Sequence, residues 1–125
     1  MKREYFYQQN FPIIDLELIG KERNLLVKAL VDSGANISLF GAQVGEYLGI
    51  PVEKGEKLEL KGIGGKIIAY LHFLPVRFNK SQFNLKIAFS REIKFPINLL
   101  GRDNFFLPFL ITFNEKFQKI LIEEH

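Results

Sequence analysis

The sequence predicts an all-β protein with one or two short helices, and three observations carry that expectation. Apolar and polar residues alternate with a period of two around Ile14, Leu16 and Leu18, around Leu58 and Leu60, and most cleanly around Phe83, Leu85, Ile87 and Phe89. That is the pattern of strands with one buried face. Short turn-forming clusters, residues 20–24, Asn79-Lys80-Ser81 and Asn114-Glu115-Lys116, punctuate the apolar runs. Only residues 41–49 and 101–106 suit a helix.

Taken in order, Ile14, Leu16 and Leu18 alternate with Asp15 and Glu17, and a polar turn leads into a second apolar strand, residues 25–31. Residues 37–40 form a short apolar strand. Val44 and Leu48 lie four apart, one helical repeat, before Gly49 and Pro51 end the helix. Leu58 and Leu60 open a strand that runs to a glycine turn, Gly62-Ile63-Gly64-Gly65. Residues 66–78 read as a long β-run with an edge or a break at Pro75, which has no N–H for a ladder. The strand centred on Leu85 follows, then an apolar stretch around Pro96, and a short helix at 101–106. A terminal hairpin joins residues 110–113 to 117–122. This makes about nine short strands.

Composition bounds what such a chain does. Its 125 residues suit one domain, residues 1–125, and 47% apolar with 25% charged residues is an ordinary globular balance. There is no cysteine, which removes disulfides, thiolate metal sites and cysteine nucleophiles. The 13 Phe are expected in the core. His72 and His125 have no partners at ligand spacing, so no metal and no cofactor is expected. The net charge of +3 is mild and no basic block occurs, so nucleic acid is not implied. Residues 1–10 have no apolar h-region, and no window nears the ~20 apolar residues of a membrane helix. A cytoplasmic protein without a membrane partner is the expectation.

The chemistry concentrates in Ala29-Leu30-Val31-Asp32-Ser33-Gly34-Ala35-Asn36-Ile37-Ser38. An apolar strand delivers a carboxylate, Asp32, into a turn of small residues. Burying a carboxylate is costly unless something hydrogen-bonds it. Ser33 offers a hydroxyl, and Gly34 an unshielded amide on a permissive backbone. Asp-Ser-Gly is also an ordinary turn tripeptide, but turns usually sit between polar ends, and this one has apolar residues on both sides.

The segment from Ala29 to Ala35 resembles the active-site signature of the retroviral-type aspartic proteases, the retropepsins. Gly62-Ile63-Gly64-Gly65 resembles that family's glycine-rich flap, and Asn98-Leu99-Leu100-Gly101-Arg102-Asp103 its late apolar-Gly-Arg segment. The resemblance spans residues 29–103 in the family's order. It implies a homodimeric retropepsin-like fold, a closed β-barrel or sandwich equivalent to half of a pepsin, acting on peptide or protein substrates. It further implies that Asp32, Ser33 and Gly34 form the catalytic loop, with Ser33 hydroxyls bonded across the dimer floor. Ala35, Asn36, Gly62, Ile63, Gly64 and Gly65 would contact substrate. Leu99, Leu100, Gly101 and Arg102 would support the loop from behind.

Peptide hydrolysis by carboxylates needs two of them, one as general base toward water and one as general acid toward the carbonyl oxygen. This chain has one Asp-Ser-Gly. Asp103, at the start of the expected second helix, reads instead as its cap or as a partner of Arg102. The second carboxylate then comes from a second copy, whose Asp32 meets the first on a two-fold axis. The sequence departs from the family at Asn36, where many members carry Asp; an Asn36–Arg102 contact would be a hydrogen bond and not an ion pair. The alternative to an aspartic endopeptidase is a catalytically silent dimerisation or peptide-binding module of the same fold.

Overall fold

The computed structural model describes residues 2–62 and 65–125. Ten strands and one α-helix appear in the order β1 (Lys2–Phe6), β2 (Ile13–Ile19), β3 (Asn24–Val31), β4 (Ser38–Gly41), α1 (Ala42–Tyr47), β5 (Glu56–Gly62), β6 (Gly65–Phe78), β7 (Ser81–Ser90), β8 (Asn98–Leu100), β9 (Phe109–Asn114) and β10 (Lys119–Glu124). The expected all-β class holds.

Seven strands form one sheet in the order β2-β3-β8-β4-β7-β6-β5. Its ends meet: Glu17 and Leu18 of β2 pair with Arg77 and Val76 of β6, which closes six strands into a barrel and leaves β5 as an arm hairpinned onto β6. Closure pairs the edges of β2 and β6 with each other and leaves β5 as the one strand of this sheet with an open edge among the described residues. The inward residues follow from the alternation. Ile14, Leu16 and Leu18 are at most 1% exposed, and Leu85, Ile87 and Phe89 are fully buried. A smaller sheet, β1-β10-β9, packs on the barrel through Ile120, Ile122 and Phe109. An aromatic cluster joins the two sheets, with Phe105 and Phe109 ring centroids 5.3 Å apart and Phe78 and Phe109 5.8 Å apart. Tilted and edge-on pairs at this spacing add to plain burial.

Helix α1 lies where the spacing of Val44 and Leu48 puts it, and Gly49, at φ +84°, ends it in the left-handed region. Four local expectations are corrected. Strand β1 lies where no strand is expected, because Lys2-Arg3-Glu4 is too polar for a strand pattern; β10 at the other end of the chain pairs with it, and Tyr5 anchors it against Phe78. Pro75 neither breaks β6 nor puts it at an edge. On one side it pairs in register with Asn84. On the other it falls after Leu71, the last partner of β5, and before Val76, the first partner of β2, so its missing N–H costs nothing there. Residues 101–106 are not a regular helix. Arg102–Phe106 is one wide turn with non-helical backbone at Asp103 and Asn104. The Asn104 side chain ties this turn to β7, accepting from the Lys86 amide at 2.9 Å and donating to the Asn84 carbonyl at 3.0 Å. Finally, the phenylalanines are not all core. Phe40, Phe78, Phe89, Phe105 and Phe109 are buried, but Phe6, Phe11, Phe73, Phe95, Phe113 and Phe117 are exposed. Hydrophobicity alone does not say which apolar residues a small chain can enclose.

Candidate active site

Asp32 follows directly on β3, which runs parallel to β8 with Val31 opposite Leu100. Its own amide donates to the Leu100 carbonyl at 3.0 Å, continuing the ladder one residue beyond the strand. The loop then folds back. The Ala35 amide donates to the Asp32 carbonyl at 3.1 Å, and the Gly34 amide donates to Asp32 Oδ1 at 2.9 Å. A Cβ at position 34 would sit a tight 3.2 Å from that same oxygen, so a side chain there would press on the carboxylate and glycine leaves it room. Asp32 is half-buried, and Ser33 and Gly34 are exposed.

Behind the loop, Arg102 and Asp103 donate their amides to the Ala35 and Asn36 carbonyls, both at 2.9 Å. Arg102 Nη2 donates to Asn36 Oδ1 at 3.1 Å, the neutral-to-charged hydrogen bond expected for this pair. Asp103 neither caps a helix nor pairs with Arg102. Its Oδ2 lies 2.8 Å from Lys86 Nζ, because the irregular turn carries it toward β7. Ser38 is fully buried, and its Oγ accepts the Gly101 amide at 3.0 Å. Replacing Ser38 with Ala leaves that buried N–H without a partner. Ser38→Ala is expected to cost about 1–3 kcal/mol, read as a lower urea midpoint at unchanged slope.

Asp32 lies between two hollows. One is a groove of about 820 Å³ lined by Asp32, Gly34, Ala35, Asn36, Ile37, Leu39, Phe95 and Leu99 and roofed by the β5–β6 arm through Leu60, Gly62, Gly65 and Ile67. The other is a shallower apolar face of Tyr7, Phe11, Pro12, Leu30 and Phe113, which also takes in Ser33. The Tyr7 hydroxyl there is pushed up to about 12, by burial first and then by Glu115 beside it, so it stays protonated across the physiological range.

A sequence profile of the family described as retroviral aspartyl protease matches residues 8–106. The chain belongs to the retroviral aspartyl protease family. Among curated proteins, none matches it. Among solved structures, the fold is similar to a retropepsin-like aspartic protease from Rickettsia conorii, with 16% identity, a TM-score of 0.75, and coverage of 97% of this chain and 98% of that one. It is also similar to the EIAV protease complexed with the inhibitor HBY-793, with 19% identity, a TM-score of 0.60, and coverage of 79% of this chain and 88% of that one. The retropepsin-like barrel is thus the fold of this chain.

Of the residues singled out for a retropepsin-like site, Asp32, Gly34, Ala35, Asn36, Gly62 and Gly65 line one groove, and Leu99 joins them. Ser33 turns to the apolar face on the other side of Asp32. Leu100 and Gly101 are buried behind the loop, whereas Leu99, expected there too, is only half-buried and faces the groove. Gly62 pairs with Gly65 at the end of the arm, and Gly65 adopts φ +116°. Ile63 and Gly64 lie outside the described residues. The groove's apolar lining at Ile37, Leu39, Leu60, Ile67 and Phe95 was missed as a site. Leu60 and Ile67 are cross-strand partners, so the alternation around Leu58 and Leu60 held that signal; it gave the buried face but not what that face looks onto. His72 is accounted for structurally, with Nε2 2.8 Å from the Val52 carbonyl oxygen and its ring edge-on to Phe89.

Proposed function

We propose that this chain is an aspartic endopeptidase whose active site assembles between two copies, each contributing Asp32. The observation that carries the reading is the position of Asp32, at the meeting of a peptide-sized groove and an apolar face. The groove supplies a place for substrate. The face, with Phe11 55% exposed and Phe113 beside it, supplies a surface for the second copy next to the carboxylate that has to find its mate.

In that dimer two carboxylates within hydrogen-bond distance hold one proton between them, because both cannot ionise readily. The ionised one takes a proton from a water molecule, whose oxygen attacks the scissile carbonyl carbon. The protonated one delivers its proton to the carbonyl oxygen. As the tetrahedral diol collapses, the C–N bond breaks and the amine leaves with a proton returned by the pair. The Gly34 amide donates to Oδ1 at 2.9 Å and so helps to fix the orientation of each carboxylate. The test is incubation with a diverse peptide library from acidic to neutral pH, wild type against Asp32→Asn, with cleavage expected from wild type alone and best at mildly acidic pH.

The dimer has its own check. Phe11 is exposed and lies outside the barrel strands, so Phe11→Asp is expected to leave the circular dichroism spectrum unchanged. Placing two charges in the apolar contact is expected to shift sedimentation from dimer to monomer and to remove hydrolysis with it. An active monomer would refute the shared site.

A further inference from the structure

We propose that the groove selects peptides with acidic side chains flanking an apolar centre, through Arg102 and Lys61. This rests on the protease reading of the same groove and adds its substrate class. Around Asp32 the walls are apolar, with Ile37, Leu39 and Phe95 among them. Past Asn36, Ile37 and Leu60 the groove continues into a depression bounded by Arg102, Asp103 and Leu107. The charges along this path are unequally matched. Asp103 is held by Lys86 at 2.8 Å, and Glu59, on the arm, by Lys66 at 3.1 Å. Both rim carboxylates are therefore already paired. Arg102 and Lys61 have no carboxylate within 4 Å among the described residues, and Arg102 reaches only the neutral Asn36 Oδ1.

An aspartate at position 36 would neutralise this guanidinium; Asn36, a neutral acceptor at 3.1 Å, orients it and leaves its charge for a ligand. In a two-fold dimer the same cations recur on the other flank of the scissile bond, so acidic side chains are favoured on both sides. The groove is open and exposed ion pairs are weak, so the preference is moderate, about three- to tenfold over neutral side chains.

The experiment uses peptides with one shared apolar centre and Glu, Gln or Lys two to four residues to either side. Hydrolysis is measured on wild type, and binding by fluorescence anisotropy on Asp32→Asn. The expected order is Glu, then Gln, then Lys in both readouts, narrowing at high salt as the charges are screened. Asn36→Asp and Arg102→Gln are expected to flatten the Glu-to-Gln ratio, and Lys61→Glu to move it toward Lys. A loss of fold or of groove geometry would weaken all three peptides alike, so the ratio reads charge alone. Equal treatment of the three peptides by wild type, or a ratio unmoved by all three substitutions, overturns the proposal. Binding with the expected order but no cleavage by wild type overturns the protease reading and leaves this one standing.

Discussion

Asp32→Asn is expected to abolish peptide hydrolysis while leaving the protein folded. In the proposed dimer one substitution removes both carboxylates, so neither general base nor general acid remains. Each of these functions typically contributes 10²–10⁴-fold, and because the two act as one unit their losses do not add. A fall in kcat/KM of at least about 10³-fold is expected. The fold should tolerate the change. The Gly34 amide donates to Oδ1, and an asparagine carbonyl oxygen accepts that hydrogen bond equally well. The backbone bonds to Leu100 and Ala35 do not involve the side chain. Bringing two carboxylates together also opposes dimerisation, so the urea midpoint of the variant dimer is expected to equal or slightly exceed that of wild type. A silent binding module would behave differently, with wild type and variant both inactive and binding peptides alike. Equal peptidase activity in wild type and highly purified Asp32→Asn would place the site elsewhere.

Gly101→Ala is expected to produce the largest loss of stability among small substitutions at the site. A Cβ on Gly101 would lie 2.4 Å from the Ile37 carbonyl carbon, 2.5 Å from its oxygen and 2.8 Å from its nitrogen. All three are backbone atoms, so no side chain can swing aside. The backbone there is also held from two directions, by the Ser38 hydroxyl on the Gly101 amide and by the Ile37–Asp103 bridge. At φ −103° the conformation suits any residue; only the space is missing. Forcing these two backbone segments apart is expected to cost about 3 kcal/mol, or roughly 10 °C in Tm. Activity should fall further than stability, because Asn36 and Ile37 line the groove. Gly62→Ala is the control: nothing lies within 4 Å of its added carbon, and a change within about 0.5 kcal/mol is expected. A Gly101→Ala protein as stable as wild type would show that this crossing of loop and strand is looser than its geometry.

Residue types and their local order determined the all-β class, helix α1, the hairpin of β9 and β10, and the carboxylate at the end of β3. Each depends on neighbours in sequence: a period of two, a glycine after a helical repeat, an apolar run into Asp-Ser-Gly. The Asn36–Arg102 hydrogen bond was also legible, since its partners lie in two motifs that both resemble the family's. Tertiary structure decided what local order cannot encode. Strand β1 exists because β10 accepts it, not because Lys2-Arg3-Glu4 favours a strand. Pro75 stays inside β6 because neither β5 nor β2 needs its N–H at that point. The turn at Arg102–Phe106 is set by its bonds to β7 and to the Asp32 loop, which outweigh any helical preference of five residues. The same limit explains the phenylalanines. All 13 are equally apolar in sequence, but a barrel of six strands encloses a fixed volume. Phe11, Phe95 and Phe113 are left outside it, around the carboxylate, on the groove and on the face proposed for the second copy.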